Sequence, residues 1–95
     1  MKKFVIERNF PGASNLSAVE LQAIAQTSCE AVDKLDQPYT WVISYIAEDK
    51  IYCIHIAESK EVIREHSRIA KFPINIISEV LTVIDPATNY PLQIA

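Results

Sequence analysis

The sequence predicts an α+β fold of the ferredoxin-like type, in which a four-stranded antiparallel sheet carries two helices on one face. Three observations lead to this prediction. Two runs of β-forming residues, 40–46 and 51–56, are adjacent and typical of a hairpin. Apolar residues recur at helical spacing after Ser17 and again after Ser59. One further β-forming run precedes the first helix and another follows the second, giving the order strand, helix, strand, strand, helix, strand.

The first strand and the first helix have recognisable ends. The strand is predicted over residues 2–10 and stops at a Pro-Gly pair. Ser17 and Glu20 have the spacing of a capping box, in which a hydroxyl and a carboxylate accept hydrogen bonds from free amides at a helix start. Apolar residues keep helical spacing from there to about Leu35, so we expect a helix over residues 18–35.

The second half repeats this arrangement after the hairpin. Ser59 is the predicted N-cap of a second helix, which ends at Phe72-Pro73. A last strand is predicted over residues 76–85, and residues 86–95 form a C-terminal tail. Residues 1–95 are expected to make one domain, because a chain of this length supports a single core.

Right-handed crossovers place both helices on one face of a sheet with strand order 4-1-3-2, and the other face is then open. Strand side chains alternate between faces. We expect the helices to cover Phe4, Ile6, Tyr52, Ile54 and Ile56, with Val5, Glu7, Cys53, His55 and Glu79 on the open face. Burying Glu79 would cost several kcal/mol. The alternation of the last strand also puts Ile77, Leu81 and Val83 on the open face. Together with Val5 they make it too apolar for water, which predicts a homodimer of the α+β-barrel type.

Composition limits the classes of function. A net charge of −3 without a Lys/Arg cluster argues against nucleic acid, and no run approaches the ~20 apolar residues of a membrane span. A single glycine cannot supply the glycine-rich loops that hold nucleotides. Two cysteines and no secretion signal predict reduced thiols in the cytoplasm. A hydrophobic content of 49% favours an oligomer.

Glu7, Cys53, His55 and Glu79 form the predicted constellation on the open face. Imidazole and thiolate suit nickel, zinc or copper, so these groups could bind a transition metal. The same groups could act as acid and base in catalysis. They could also be interface residues that pair with Arg8 or Lys50. The residues alone leave these three interpretations open.

His66 is a fifth candidate with a different position. It lies on the apolar stripe of the second helix, between Val62 and Ile69, and therefore faces the sheet. This position is more typical of a hydrogen-bonded core histidine than of a metal ligand. It also predicts that His66 and His55 lie on opposite sides of the sheet, which makes His55 the better candidate ligand.

Seven short segments of the sequence, taken in order, form a recognisable set. They are residues 4–8 (FVIER), 10–12 (FPG), 52–53 (YC), 63–66 (IREH), 72–73 (FP), 78–80 (SEV) and 83–86 (VIDP). Together they resemble a family of small bacterial proteins of unknown function that are described as nickel-binding or nickel-responsive. The resemblance implies a ferredoxin-like homodimer that binds nickel at the dimer surface, in keeping with sequestration. It does not assign the ligands, so Glu7, Cys53, His55, Glu79 and His66 are the metal candidates.

The chain departs from this family at one residue and in its C-terminal tail. Lys71 stands where the family generally has glycine, and the tail after residue 90 goes beyond the shared region.

One alternative function competes with metal binding. It is a dimeric α+β-barrel enzyme, a cofactor-free oxygenase or isomerase acting on a small hydrophobic molecule. Trp41 and Tyr45 would then line a cavity on the open face, and His55 or Glu7 would move protons. The sequence favours a binding protein over this enzyme.

Overall fold

The computed structural model describes residues 1–91 and has the predicted order of elements. The four-residue tail end, 92–95, lies outside the described residues. No helix in the described chain is both long enough and apolar enough to cross a membrane. The elements are β1 (Lys2–Asn9), α1 (Ala18–Lys34), β2 (Tyr39–Ile46), β3 (Lys50–Ala57), α2 (Lys60–Ala70) and β4 (Ile76–Glu79), with short 3₁₀ helices at Ala13–Asn15 and Pro86–Asn89.

The sheet is antiparallel throughout, in the order β2-β3-β1-β4. This is the predicted order 4-1-3-2 read from the other edge, and it is consistent with the ferredoxin-like type. The hydrophobic core lies between the sheet and α2, which buries Val62 and Ile63 against Phe4 and Ile6 of β1. By contrast, the fully buried side chains of α1 are the small Ser28 and Ala31, and its larger Leu21 and Ile24 are half-buried.

Local signals fix the helix ends, as predicted. The amide of Ser17 donates to Oε1 of Glu20 at 3.0 Å, and the amide of Glu20 donates to Oγ of Ser17 at 3.2 Å. The Ser59 hydroxyl caps α2. That helix ends at Lys71, whose φ of 61° is left-handed, a conformation that favours glycine. A glycine at this position, which the family resemblance implies, would meet this backbone requirement without strain.

The last strand is shorter than the predicted 76–85, because β4 ends at Glu79. The reason is the length of its neighbour. Glu79 lies opposite Phe4, and the amide of Val80 donates to the carbonyl of Lys3, so β1 has almost no further residues to pair. We name residues 81–91 the C-terminal arm. Its large apolar side chains, Leu81, Val83, Ile84 and Tyr90, are all exposed.

The prediction of faces is correct for β1 and wrong for β3 and β4. Cys53 and His55 lie under the helices, whereas Tyr52, Ile54 and Ile56 are on the open face. Register gives the reason, since directly opposite residues of an antiparallel pair share a face. His55 lies opposite Phe4 and Cys53 opposite Ile6, and both partners are buried in the core. Glu79 also lies opposite Phe4, so it is on the helix side of the sheet and not on the open face.

A β-bulge explains why β2 is apolar on both sides. Trp41 pairs with His55, but the next pair is Ile43 with Ile54, so Val42 is the extra residue. The alternation therefore reverses within the strand. Trp41 faces the helices, whereas Ile43 and Tyr45 are exposed on the open face.

Candidate functional site

Two of the five candidate ligands are acidic residues that lie apart from the rest. Glu7 is on the open face, as predicted, where the Lys50 ammonium donates to its Oε1 at 2.5 Å. Glu79 is exposed at the end of β4, with Oε1 3.9 Å from Nζ of Lys2. Each carboxylate is thus paired with a lysine and, within the described residues, has no hydrogen bond to the histidines or the cysteine.

The other three candidates, Cys53, His55 and His66, lie together beneath the helices. Both histidines are at most 1% exposed, and their ring centroids are 5.1 Å apart. The prediction that these histidines lie on opposite sides of the sheet is therefore wrong. It failed because β3 turns its less hydrophobic side toward the core and leaves Ile54 and Ile56 on the open face.

Tyr39 links the two imidazoles, although the sequence analysis did not select it. Its ring stacks on His66 with centroids 4.8 Å apart, and its hydroxyl is hydrogen-bonded to Nδ1 of His55. The Nε2 of His66 donates to the carbonyl oxygen of Ser28 on α1 at 3.1 Å. His66 Nδ1 is buried without a hydrogen-bond partner among the described residues. These contacts join α1, β2, β3 and α2 through one buried polar cluster.

Burial keeps this cluster uncharged at neutral pH. Desolvation lowers the pKa of His55 to about 3, with His66 and Arg8 contributing in the same direction. Desolvation also lowers the pKa of His66, more than the bond to Ser28 raises it. The pKa of the Tyr39 hydroxyl is raised, again mainly by burial. Both imidazoles are therefore neutral, and the phenol stays protonated.

Cys53 ends a second, shorter chain of hydrogen bonds. The indole Nε1 of Trp41 donates to Oγ of Ser44 at 2.9 Å, and that hydroxyl donates to Sγ of Cys53 at 3.0 Å. The thiol is free and buried, whereas the other cysteine, Cys29, is free and exposed on α1. Cys53 is therefore positioned as a hydrogen-bonded thiol in the core of the sheet.

Arg8 is a residue of this site that the sequence analysis did not select. The residue is only 3% exposed. Its Nη1 donates to Oγ of Ser67 at 3.0 Å and to the carbonyl of Pro73 at 2.8 Å. Its Cζ lies 5.5 Å from the centroid of the Phe72 ring. Within residues 1–91, its Nε and Nη2 have no hydrogen-bond partner and no carboxylate pairs with it. The signal was available, because Arg8 continues the alternation of Phe4 and Ile6.

A cavity of about 270 Å³ lies between α1, the covered face of the sheet and the Phe72-Pro73 segment. Two residues of the predicted enzyme site, Trp41 and His55, do contribute to its wall. The predicted position was wrong, however, since Tyr45 and Glu7 lie on the other face. The wall is mostly apolar and includes Arg8, Leu21, Ile24, Trp41, Ile51 and His55.

These buried residues do not fit a nickel ion held within one chain. In the described part of the sequence, no three His, Cys, Asp or Glu side chains are grouped so that they could hold a metal. The bonds of His55 to Tyr39 and of His66 to Ser28 leave one ring nitrogen of each imidazole, so the pair offers at most two nitrogen donors. The nearby Arg8 charge, which disfavours protonation of both histidines, also opposes a cation. The listing of these five residues as ligands stays a prediction.

Comparison with known proteins gives a family and a fold. The sequence matches the family described as "Nickel responsive protein SCO4226-like" over residues 4–80. The structure is similar to the crystal structure of SCO4226 from Streptomyces coelicolor A3(2), with a TM-score of 0.73 and 18% sequence identity. The alignment covers 86% of this chain and 99% of the other. No curated protein matches the sequence.

Proposed function

This chain belongs to the family of SCO4226-like nickel responsive proteins, and we propose that it acts in a response to nickel as a small cytoplasmic homodimer that binds the ion. The observation that carries this proposal is the family match over residues 4–80, which includes all four strands and both helices. Sequestration of the ion is the simplest role for such a protein, because it requires binding and no reaction.

The open face of the sheet supports the homodimer. It carries the isoleucine and tyrosine side chains that β3 does not bury, together with Ile43 and Tyr45 of the bulged strand and Ile76 of β4. Of these, Ile43, Tyr45 and Ile76 are 43%, 56% and 52% exposed. A contiguous apolar surface of this kind marks an interaction site on a soluble protein. Two copies that pack these faces together would form the predicted α+β barrel.

The C-terminal arm supports the same proposal from a different part of the chain. Leu81 and Ile84 are 85% and 78% exposed. The arm also keeps a defined shape, because the Asp85 carboxylate accepts from the amide of Ala87 and the amide of Asp85 donates to the Thr88 hydroxyl. An ordered, apolar and uncovered segment is suited to packing on a second copy. It lies outside the residues of the family match.

A nickel site is then expected to need both copies. Within one chain the two carboxylates lie apart from the other candidate donors, and the buried histidines lie near the positive charge of Arg8. Glu7 is the candidate that lies on the face where two copies would meet, and its carboxylate is now paired only with Lys50. A second copy could bring further donors to it without disturbing the buried histidines.

Native mass spectrometry during nickel titration tests this proposal. It reports the oligomer and the number of bound ions in the same spectrum. We expect a dimer that takes up nickel, with uptake reduced in Glu7→Gln and retained in the exposed control Glu48→Gln. Nickel uptake by a monomer, or equal uptake by Glu7→Gln and the parent, would contradict the two-copy site. Loss of uptake only in His55→Gln would instead assign the ion to the buried cluster.

The enzyme alternative loses the site on which it was based. Its four residues are divided between the two faces of the sheet, so they do not form one pocket. Trp41 and His55 border the cavity, but Tyr45 and Glu7 point away from it. We therefore do not propose the oxygenase or isomerase activity. The cavity itself calls for a different explanation.

A further inference from the structure

The cavity under α1 is large enough to hold a small molecule. An apolar cavity of about 150 Å³ stays dry and accepts benzene, so one of about 270 Å³ has room for a ligand on the order of ten non-hydrogen atoms. Its wall is formed by the aliphatic side chains of Leu21, Ile24 and Ile51 and by the rings of Trp41 and Phe72. These surfaces favour an apolar body and offer little to a sugar or a nucleotide.

Arg8 determines what the polar end of such a ligand should be. A guanidinium stays protonated in proteins, and a buried charge is costly without a partner. Arg8 is in the cavity wall and has a carbonyl, a hydroxyl and the Phe72 ring as its contacts, but no carboxylate within residues 1–91. Its unpaired Nε and Nη2 are two donors of the fork that binds a carboxylate, and both are covered in this structure.

The remaining polar groups at the wall do not offer a competing charge. His55 is neutral, and its Nδ1 is held by Tyr39. Cys53 receives a hydrogen bond from Ser44, and the Ser28 carbonyl is bonded to His66. The net charge at this cavity is therefore the single positive charge of Arg8.

We propose that this cavity binds a small apolar monocarboxylate, with its hydrocarbon part against α1 and Trp41 and its carboxylate beside the Arg8 guanidinium. Nε and Nη2 have almost no exposed surface in this structure, so the guanidinium would turn to meet the carboxylate. The ligand would offset the buried charge of Arg8 and fill the cavity. This inference goes beyond nickel binding and does not depend on it, since the residues that carry it belong to one chain and Arg8 is not a candidate metal ligand.

Calorimetry with 3-phenylpropanoate and its neutral isostere 3-phenylpropanamide tests the proposal at pH 7.5, in the presence of a chelator. Hydrogen bonds to a charged group are stronger than neutral ones, so we expect the parent protein to bind the acid at least about tenfold more tightly than the amide. In Arg8→Met this preference should disappear. Comparing acid with amide on the parent protein keeps the test valid if that variant does not fold.

Two variants of α1 locate the binding in the cavity. Ala25 is a half-buried wall residue, so Ala25→Phe should fill the space and weaken binding of both compounds at least about tenfold. Ala23 is exposed on the same helix and outside the wall, and Ala23→Phe should bind like the parent. The proposal would be overturned if neither compound binds the parent, if acid and amide bind equally, or if Ala25→Phe binds as the parent does.

Discussion

The two faces of this sheet differ in a way that reverses the usual expectation. The covered face contains Arg8, Cys53 and His55, although it lies under both helices. The open face contains Ile43, Ile54 and Ile56, although nothing in the described chain covers it. Most soluble domains place charged and titratable residues outward and aliphatic residues inward. The reversal is in keeping with the proposed dimer contact on the open face and with the proposed ligand cavity on the covered face.

The covered face also shows how a polar core remains stable. Every buried polar side chain there has at least one hydrogen-bond partner, and the two imidazoles avoid the cost of charge by remaining neutral. Three buried nitrogen atoms of these side chains nevertheless have no partner in the described chain: Nε and Nη2 of Arg8 and Nδ1 of His66. The open face carries one ion pair, Glu7 with Lys50, at the β1–β3 boundary. Substitutions on each face therefore act on different properties.

The largest effect is expected from removing a ring on the covered face. His66→Ala deletes a fully buried imidazole that stacks on Tyr39 and bonds Ser28, leaving a cavity beside both. We expect a loss of about 3 kcal/mol in the free energy of unfolding. Urea denaturation measures it, with the exposed Arg64→Ala on the same helix as the control. A loss below about 1 kcal/mol in His66→Ala would show that the cluster does not hold the helices to the sheet.

A charge on the open face should affect assembly instead. Ile43→Glu brings two like charges into the proposed dimer interface, so we expect the dimer dissociation constant to rise at least about a hundredfold, or ~2.7 kcal/mol. Sedimentation velocity over a range of concentrations measures this constant. Val19→Glu, on an exposed site of α1, is the control and should sediment like the parent. If Ile43→Glu leaves the parent's oligomeric state unchanged, the open face is not the interface.

Acid should weaken the covered face before it affects surface carboxylates. The pKa of His55 is about 3 in the folded protein, against an ordinary value near 6.5, so the unfolded chain binds the proton more tightly. Stability is therefore complete above pH 6.5 and falls as the pH drops toward 3. Between pH 7.5 and pH 5 we expect His55 alone to remove about 2 kcal/mol, and His66 shifts in the same direction.

Urea denaturation at the two pH values gives this difference, and His55→Gln should flatten it. A hydrogen bond from Arg68 holds the pKa of Glu65 below its ordinary value, so this surface carboxylate stays ionised throughout this range. A parent protein with the same stability at pH 5 as at pH 7.5 would mean that His55 is not buried in its neutral form.

The smallest effect concerns the residue that turns the chain from α2 into the rim of the cavity. Lys71 has a left-handed backbone, a conformation that costs a residue with a side chain ~1–2 kcal/mol. Glycine avoids this cost, but it loses more backbone entropy on folding, which offsets part of the stabilisation. Lys71→Gly should therefore stabilise the protein by about 0.5–1 kcal/mol. Thermal unfolding measures the gain, and Lys71→Ala, which keeps the strain, should show none.

Much of the fold could be predicted from the sequence because its signals are local. The capping box at Ser17 and the cap at Ser59 fixed both helix starts to within a residue. The order of elements and the rule of right-handed crossovers then gave the strand order. The end of β4 could not be read in this way. It depends on where β1 begins, and the apolar alternation of residues 76–85 continues beyond that point.

The candidate site was predicted less well, and β3 shows why. Its two sides, Ile51-Cys53-His55-Ala57 and Tyr52-Ile54-Ile56, are both apolar enough to face a core. Hydrophobicity alone selected the isoleucines, and this put His55 on the wrong face. The β2 bulge at Val42 hid the alternation that would have corrected the choice. The two histidines that meet were both among the candidates, but Arg8 and Tyr39 were missed.

The sequence by itself therefore determined the elements, their caps, their order and the chemistry available, because each of these depends on neighbours along the chain. Tertiary structure alone decided which side of β3 is buried, that His55 meets His66, and that α1 leaves a cavity bordered by an unpaired arginine. These features arise from register and from the distance between layers. Both are set by the whole sheet pairing and packing at once, and strand periodicity leaves them undetermined when both sides of a strand are apolar.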